Sequence, residues 1–177
     1  EKIRALLEFF VDLVNELCTP AEHARPTHIR ECDSSNAEKL SRHYIFEYAS
    51  GCFRDYIAIA RFMDWAYTRV PDSLWIYPEK DPDKVPLFDT TVYTRNRNFR
   101  FIGNAKYEKD PTREPRFLWP VHGELGAEPT RGHDAITYEI FCAYTVSQRL
   151  KESEQCGTLW MIDDNAVCQR SWDFAST

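Results

Sequence analysis

The spacing of apolar residues changes along this chain of 177 residues, and this change constrains the fold class most. In residues 2–18 the apolar positions recur every three or four residues, which predicts a helix with one face on a core. Residues 53–70 have the same period, whereas residues 42–48 alternate as a strand does. The remaining predicted elements are strands at 74–77 and 158–162, a hairpin or strand pair at 85–106, and a helix at 136–150. The order α, β, α, β, β, α, β indicates an α+β or mixed α/β fold.

Composition sets the scale of the core. With 43% hydrophobic and 14% aromatic residues, residues 1–177 can bury one substantial core, so we expect a single domain that has at most two lobes. The longest apolar stretch lies within an amphipathic helix, so no membrane span is predicted. The chain begins with charged residues and without the apolar core of a signal peptide. A cleaved organelle transit peptide is an open alternative, because its removal would leave no trace in the sequence.

Six cysteines are scattered along the chain, and none forms a Cys-x-x-Cys pair. This pattern favours buried, reduced thiols in an intracellular protein. A structural zinc site made from Cys142, Cys156 and Cys168 is the alternative, although no histidine has zinc-finger spacing from any cysteine. We therefore expect no zinc.

The net charge of −6 argues against strong non-specific binding to nucleic acid. The charge is unevenly distributed, because residues 95–116 hold seven Arg or Lys residues against three Asp or Glu residues. A basic strip on an acidic protein is typical of a confined phosphate site rather than of a long DNA-coating surface.

A single carboxylate followed by arginines marks residues 85–100. Asp89 ends a short apolar run, and the strand predicted after it carries Arg95, Arg97 and Arg100. Strand alternation would put Arg95 and Arg97 on one face and Arg100 on the other. A carboxylate binds Mg²⁺ or Mn²⁺, and guanidinium groups bind phosphate oxygens in a forked geometry. The segment therefore indicates a site for a metal ion and a polyphosphate.

A second polar segment precedes it. Lys39, Ser41 and His43 have the spacing i, i+2, i+4, so on an extended strand they would share one face and form an anion cradle. Taken alone, His43 is best explained as a structural histidine. Together, this segment and the Asp89 segment would form one site for a triphosphate and a metal ion.

Both segments resemble a known family. Residues 33–46 contain Asp-Ser-Ser followed by Lys-Leu-Ser-Arg-His-Tyr-Ile-Phe, and residues 88–100 read Phe-Asp-Thr-Thr-Val-Tyr-Thr-Arg-Asn-Arg-Asn-Phe-Arg. They resemble motifs II and III of the eukaryotic primase-polymerases, the PrimPol-like branch of the archaeo-eukaryotic primase superfamily, which is related to herpesvirus primase subunits. The clear similarity covers residues 33–46 and 85–106. It implies a primase-like catalytic core in which helices flank an RRM-like sheet.

The resemblance also implies a role for each matching residue. Asp89 would bind Mg²⁺ or Mn²⁺ and act in catalysis with His43. Ser41 and His43 would contact the triphosphate of an incoming NTP or dNTP, and Arg97 would lie near that nucleotide or the template DNA. The cations that help to bind the triphosphate would be Lys39, Arg100 and Lys106.

Two parts of the family pattern are missing from these residues. The first motif, an Asp-x-Glu pair on N-terminal strands before the opening helix, is absent, and no Asp-x-Glu or Asp-x-Asp pair on a plausible strand replaces it in residues 1–88. The zinc module that follows the family's core is absent as well. We expect that the first motif either precedes Glu1 or has been lost.

Three functions remain open. The chain would be the core of an active DNA primase and polymerase that serves DNA replication or damage tolerance in the nucleus or the mitochondrion. Alternatively, it would be a decayed primase-fold subunit that binds other proteins or nucleic acid in a larger assembly, such as an organellar one. The third alternative is a nucleotide-sensing module that keeps the triphosphate cradle.

Overall fold

The computed structural model describes residues 1–17, 26, 28–48, 51–53, 55–77, 83–94, 99–106, 110, 112–144, 157–162 and 167–172. These residues form a mixed α+β chain, as the change in apolar spacing predicted. In chain order the elements are α1 (Lys2–Leu17), β1 (His28–Asp33), β2 (Arg42–Glu47), β3 (Gly51–Phe53), α2 (Tyr56–Tyr67), β4 (Trp75–Ile76), β5 (Val85–Pro86), β6 (Trp119–Val121), α3 (Tyr138–Ala143), β7 (Gly157–Ile162) and β8 (Val167–Trp172).

The chain divides into two compact units. The first unit consists of Glu1–Arg25, Tyr48–Arg97 and Glu152–Thr177, and the second of Pro26–Glu47 and Asn98–Lys151. The first unit therefore contains α1, α2 and the strands β3, β4, β5, β7 and β8. The second unit contains β1, β2, β6 and α3.

Helices α1 and α2 supply the core of the first unit. Its buried side chains are Leu13, Val14, Leu17, Phe62, Met63 and Ala66. Helix α2 begins after Asp55, whose carboxylate accepts a hydrogen bond from the Ala58 N–H at 2.9 Å and so caps the first turn. Strand β7 runs parallel to β3 and antiparallel to β8, while β4 and β5 form a separate antiparallel pair.

An antiparallel sheet of order β2-β1-β6 organises the second unit. Its central strand pairs Asp33 with Arg42 on one side and with Trp119 on the other. Cys32 and Leu118 are buried together with Ile102, and α3 packs against them through Ile140 and Phe141. Strand β1 is thus central to both the sheet and the core, and its C-terminal end leads directly into the polar segment.

Gly103 fixes the turn that follows Ile102. Its φ is +79°, a left-handed conformation that glycine adopts without strain. A Cβ atom there would lie 2.9 Å from Ile136 Cδ1, so the position also allows a close approach to the segment before α3. The Gly103 N–H donates to the Leu118 carbonyl at 2.7 Å, which holds the turn against the core.

Several predicted elements are confirmed, with small differences in their bounds. The helices predicted at 2–18 and 53–70 are α1 and α2, the strand at 42–48 is β2, and the last strand is β7. The helix predicted at 136–150 begins only at Tyr138, after Thr137 accepts a capping bond from the Ile140 N–H, and residues 145–150 lie outside the described residues. Helical periodicity extends past real boundaries because caps, not apolar spacing, set the first turn.

Other expectations are wrong or incomplete. No strand was predicted in residues 110–131, which contain β6. No strand was predicted over β1 either, since its polar residues hide the alternation. Among the described residues of the predicted hairpin at 85–106, only β5 is a strand, and residues 90–94 consist of turns, bends and one irregular position. In the described part of the chain, no helix is long and apolar enough to cross a bilayer.

Candidate functional site

The loop between β1 and β2 is fixed by hydrogen bonds between its two ends. The Ser34 N–H donates to the Ser41 carbonyl at 2.8 Å, and the Ser34 hydroxyl donates to the Ser41 hydroxyl at 3.0 Å. The Ser41 N–H in turn donates to the Ser35 hydroxyl at 2.9 Å. Polar groups at both ends of this loop are therefore satisfied within it, and the loop keeps a defined shape.

Arg100 connects this loop to a second segment of the same unit. One guanidinium nitrogen, Nη2, donates to the Ser34 hydroxyl at 3.0 Å, and Nη1 donates to the Arg116 carbonyl at 2.9 Å. The Lys106 N–H donates to the same Arg116 carbonyl at 3.2 Å. The positive charge of Arg100 is therefore held next to the serine pair, with the Lys106 backbone nearby.

His43 lies two residues after Ser41, on β2. Burial lowers the pKa of its imidazole below the ordinary value, and the positive charge of Arg100 lowers that pKa further. The ring is therefore neutral near pH 7. A bound anion would offset the charge of Arg100 and raise the pKa of His43 again.

A cleft of about 520 Å³ opens beside this cluster. One wall is the loop from Asp33 to Lys39, and the opposite wall is formed by residues 113–117 and Trp119, with Arg131 completing the lining. Its volume is within the range of small-molecule sites, about 300–1,000 Å³. The lining carries four basic side chains, Lys39, Arg113, Arg116 and Arg131, and three acidic ones, Asp33, Glu38 and Glu114, of which Asp33 is paired with Arg42. Ser34 and Arg116 belong to the lining and also contact Arg100, so the cluster borders the cleft.

Two buried carboxylates support the base of the loop. Glu31 is 1% exposed and Asp33 is 6% exposed, and both form ion pairs with Arg42. Glu31 also accepts hydrogen bonds from the Tyr44 hydroxyl at 3.1 Å and from the Gly126 N–H at 2.6 Å. Because every one of these partners stabilises negative charge, the pair is a structural ion cluster.

This cluster was not predicted from the sequence. Its signal was the Glu31-x-Asp33 spacing, which puts both carboxylates on one face of a strand, with Arg42 opposite Asp33 in the neighbouring strand. Only Asp33 was included in a motif, and Glu31 was passed over. In the described residues, no three side chains of the His, Cys, Asp and Glu types gather as a metal ion would need.

The structure brings together three of the residues predicted for the triphosphate. Ser41 contacts Ser34, Ser34 contacts Arg100, and the charge of Arg100 acts on His43. Lys39 lines the same cleft, but the prediction that it shares a strand face with Ser41 and His43 is wrong. Strand β2 begins only at Arg42, because the Asn36 side chain accepts from the Lys39 N–H at 2.9 Å and holds residues 36–39 in a turn.

Asp89 belongs to the first unit and is exposed. Its Oδ1 accepts hydrogen bonds from the Thr91 N–H at 2.8 Å and from the Thr91 hydroxyl at 2.7 Å. This is an Asx turn, and it explains why the chain turns after Asp89 and does not extend as predicted. Arg95 and Arg97 lie outside the described residues.

The cysteines have no common site in the described residues. Cys32 and Cys142 are free thiols. Burial raises the pKa of Cys32 to about 12, and the negative charge of Glu31 contributes. Cys156 lies outside the described residues, as does the side chain of Cys168.

Comparison with known proteins identifies no relative, since neither a family model nor a curated protein matches this chain.

Proposed function

We propose that this chain is a primase-polymerase-like nucleotidyltransferase core and that its second unit binds the triphosphate of an NTP or dNTP. The observation that carries the proposal is the cluster of Ser34, Ser41, His43 and Arg100 beside a cleft that is lined by basic and acidic side chains. The resemblance of residues 33–46 and 85–106 to motifs II and III supports the same function. On that resemblance we also propose that the fold is primase-like.

The chemistry of the cluster suits a polyphosphate. Guanidinium and ammonium groups form charge-assisted hydrogen bonds with phosphate oxygens, and these bonds are roughly twice as strong as neutral ones. Arg100 is held in place by two hydrogen bonds, so little side-chain entropy remains to be lost on binding. A neutral His43 can donate a hydrogen bond to a phosphate oxygen, and it can also take up a proton as the anion approaches.

Metal chemistry is proposed on the resemblance alone. By that resemblance Asp89 would be a ligand of Mg²⁺ or Mn²⁺, the ions that phosphoryl transfer uses. The described residues do not by themselves provide the several anionic oxygens that Mg²⁺ requires. The residues of the second unit therefore carry the part of the function that can be derived from geometry: binding and orienting the triphosphate.

A catalytically decayed, primase-fold subunit is the alternative. The net charge of −6 and the aromatic content of 14% suit a subunit that docks on other proteins in a larger assembly. Such a subunit would still bind the triphosphate and would lack transfer activity. For either function we propose the nucleus or the mitochondrion as the location and template DNA as a second ligand.

Calorimetric titration of the 177-residue chain with a non-hydrolysable nucleoside triphosphate tests the binding site. Arg100→Gln should weaken binding by about 10- to 100-fold, because a hydrogen bond to a charged group contributes about 1.5–3 kcal/mol. Arg69→Gln is the matched control: Arg69 is a half-exposed arginine of the first unit, paired with Glu16 at 2.6 Å. Equal losses in both variants, or no binding by the wild type, would refute the proposal.

A transfer assay separates the active enzyme from the decayed subunit. With template DNA, nucleoside triphosphates and Mn²⁺, the active enzyme should extend or synthesise a primer, and Asp89→Ala should abolish this activity. Transfer that persists in Asp89→Ala would exclude the metal-ligand role. Triphosphate binding without any transfer in the wild type would favour the decayed subunit. Arg97→Ala should reduce template-dependent steps if that side chain lies near the template.

A further inference from the structure

Two aromatic rings form part of the cleft wall opposite the loop. Phe117 and Trp119 both line the cleft, and their rings are stacked with centroids 5.3 Å apart and planes 29° apart. Leu118, between them, is 3% exposed and belongs to the core. The extended backbone of this segment therefore turns its two aromatic residues to the cleft and its aliphatic residue inward.

His133 fixes the aromatic pair. Its ring meets Phe117 edge-on at 5.4 Å and Trp119 at 5.2 Å. Its Nε2 lies 2.8 Å from the Gly103 carbonyl oxygen and donates to it, which sets the tautomer and the ring orientation. Such edge-to-face contacts are favourable for aromatic rings, so the pair is held as one rigid surface.

The phosphate cluster borders the cleft that the aromatic surface lines, and Ser34 belongs to both. Trp119 is opposite Asp33 in the sheet, and the next residue along the chain, Ser34, accepts from Arg100. Phe117 follows Arg116, whose carbonyl accepts from the other end of the Arg100 guanidinium. A ligand in the cleft can therefore have its anionic part near Arg100 and a flat apolar part against the two rings.

We propose that Phe117 and Trp119 are the base-binding subsite of the cleft, on which the nucleobase of the bound nucleoside triphosphate packs. This inference rests on the proposed function and adds the part of the ligand that the phosphate cluster does not bind. Stacking on aromatic rings is tolerant of base identity, because every base has a π-face. The four common nucleoside triphosphates should therefore bind with similar affinity, as suits an enzyme that takes its sequence from a template.

Two ligands that differ only in the base-bearing part provide the test. Inorganic triphosphate has the phosphates alone, whereas a non-hydrolysable nucleoside triphosphate also has the base. Stacking contributes about 1–3 kcal/mol per base, which corresponds to about 5- to 150-fold in affinity. Phe117→Leu should therefore weaken nucleoside triphosphate binding by a factor in that range and leave inorganic triphosphate binding unchanged. Phe117→Tyr keeps the ring, so it should bind both ligands with the affinity of the wild type.

Phe101→Leu is the matched control. Phe101 is a ring of the same unit, 45% exposed and 5.3 Å from Phe141, and it is not among the cleft-lining residues. This variant should change neither affinity. If Phe117→Leu weakens both ligands equally, or neither, the base subsite is refuted while the phosphate site stands. If the wild type binds neither ligand, the proposed function fails, and the base subsite fails with it.

Discussion

Removal of the Glu31 carboxylate should destabilise the second unit strongly. Glu31 is 1% exposed and is bonded to Arg42, to the Tyr44 hydroxyl and to the Gly126 N–H. Removing one partner of a buried ion pair costs about 3–5 kcal/mol, since the other charge stays buried without compensation. Arg42 keeps Asp33 at 3.5 Å and is 18% exposed, so we expect the lower end, about 3 kcal/mol, for Glu31→Ala.

Urea denaturation followed by circular dichroism measures this loss. With a slope of about 1–3 kcal/mol per M, the transition midpoint should fall by about 1–3 M. Glu47→Ala is the matched control, because Glu47 pairs with Arg30 between the same two strands at 3.0 Å but is 52% exposed. An exposed pair of this kind contributes at most about 1 kcal/mol.

The triple replacement Glu31→Leu, Asp33→Asn and Arg42→Met distinguishes pairing from packing. Removing all three charges leaves no buried ion without a partner, so part of the lost stability should return. The reasoning is refuted if Glu31→Ala costs less than about 1 kcal/mol, or no more than Glu47→Ala. It is also refuted if the triple variant is no more stable than Glu31→Ala.

Three further predictions concern single groups of the second unit. In an NMR titration the pKa of His43 should lie below 6.5, and a value at 6.5 or above in the wild type would contradict this prediction. The variant Arg100→Gln should raise the pKa of His43 but leave it below 6.5, because burial is the larger cause of the shift. Because the folded-state pKa of His43 is below its unfolded value, its contribution to the free energy of unfolding is present above pH 6.5 and declines as the pH falls below it. Gly103→Ala should cost about 1–2 kcal/mol in thermal or urea unfolding, because alanine disfavours φ +79° and its Cβ would meet Ile136; an unchanged stability would contradict the strained turn. Cys32 should resist alkylation at pH 8 in the folded protein and react in urea, since its pKa is about 12 and its side chain is buried, whereas rapid labelling of the folded chain would contradict its burial.

The fold class and the main helices could be predicted from the sequence because they depend on local periodicity. Helix α1 has a strong apolar stripe and needs little else to specify it. Strand β1 was missed because Glu31 and Asp33 are buried charges, and burial of a carboxylate depends on an arginine eleven residues away in the chain. Strand β6 was missed because prolines around it read as loop signals, although Pro120 occupies an edge strand, where proline is tolerated.

The candidate site was also predictable only in part, because much of it depends on contacts that local sequence patterns do not show. Ser41 and His43 are close in sequence, so strand geometry was enough to suggest a shared surface for them. Lys39 was misplaced, because the side chain of Asn36 forms a turn whose hydrogen bonds the alternation does not show. The cleft wall at Phe117 depends on contacts with residues far away in the chain, and no local pattern near it indicates a site.

The measurement that tests the central claim most directly is an amide NMR titration of the 177-residue chain with a non-hydrolysable nucleoside triphosphate. The predicted result is a set of saturable shifts confined to the second unit, at the loop from Ser34 to Ser41, at Arg100 and Lys106, and at residues 116–119. The His43 side chain should take up a proton in the same titration. Shifts confined to the first unit, or no saturable shifts at millimolar ligand, would contradict the account.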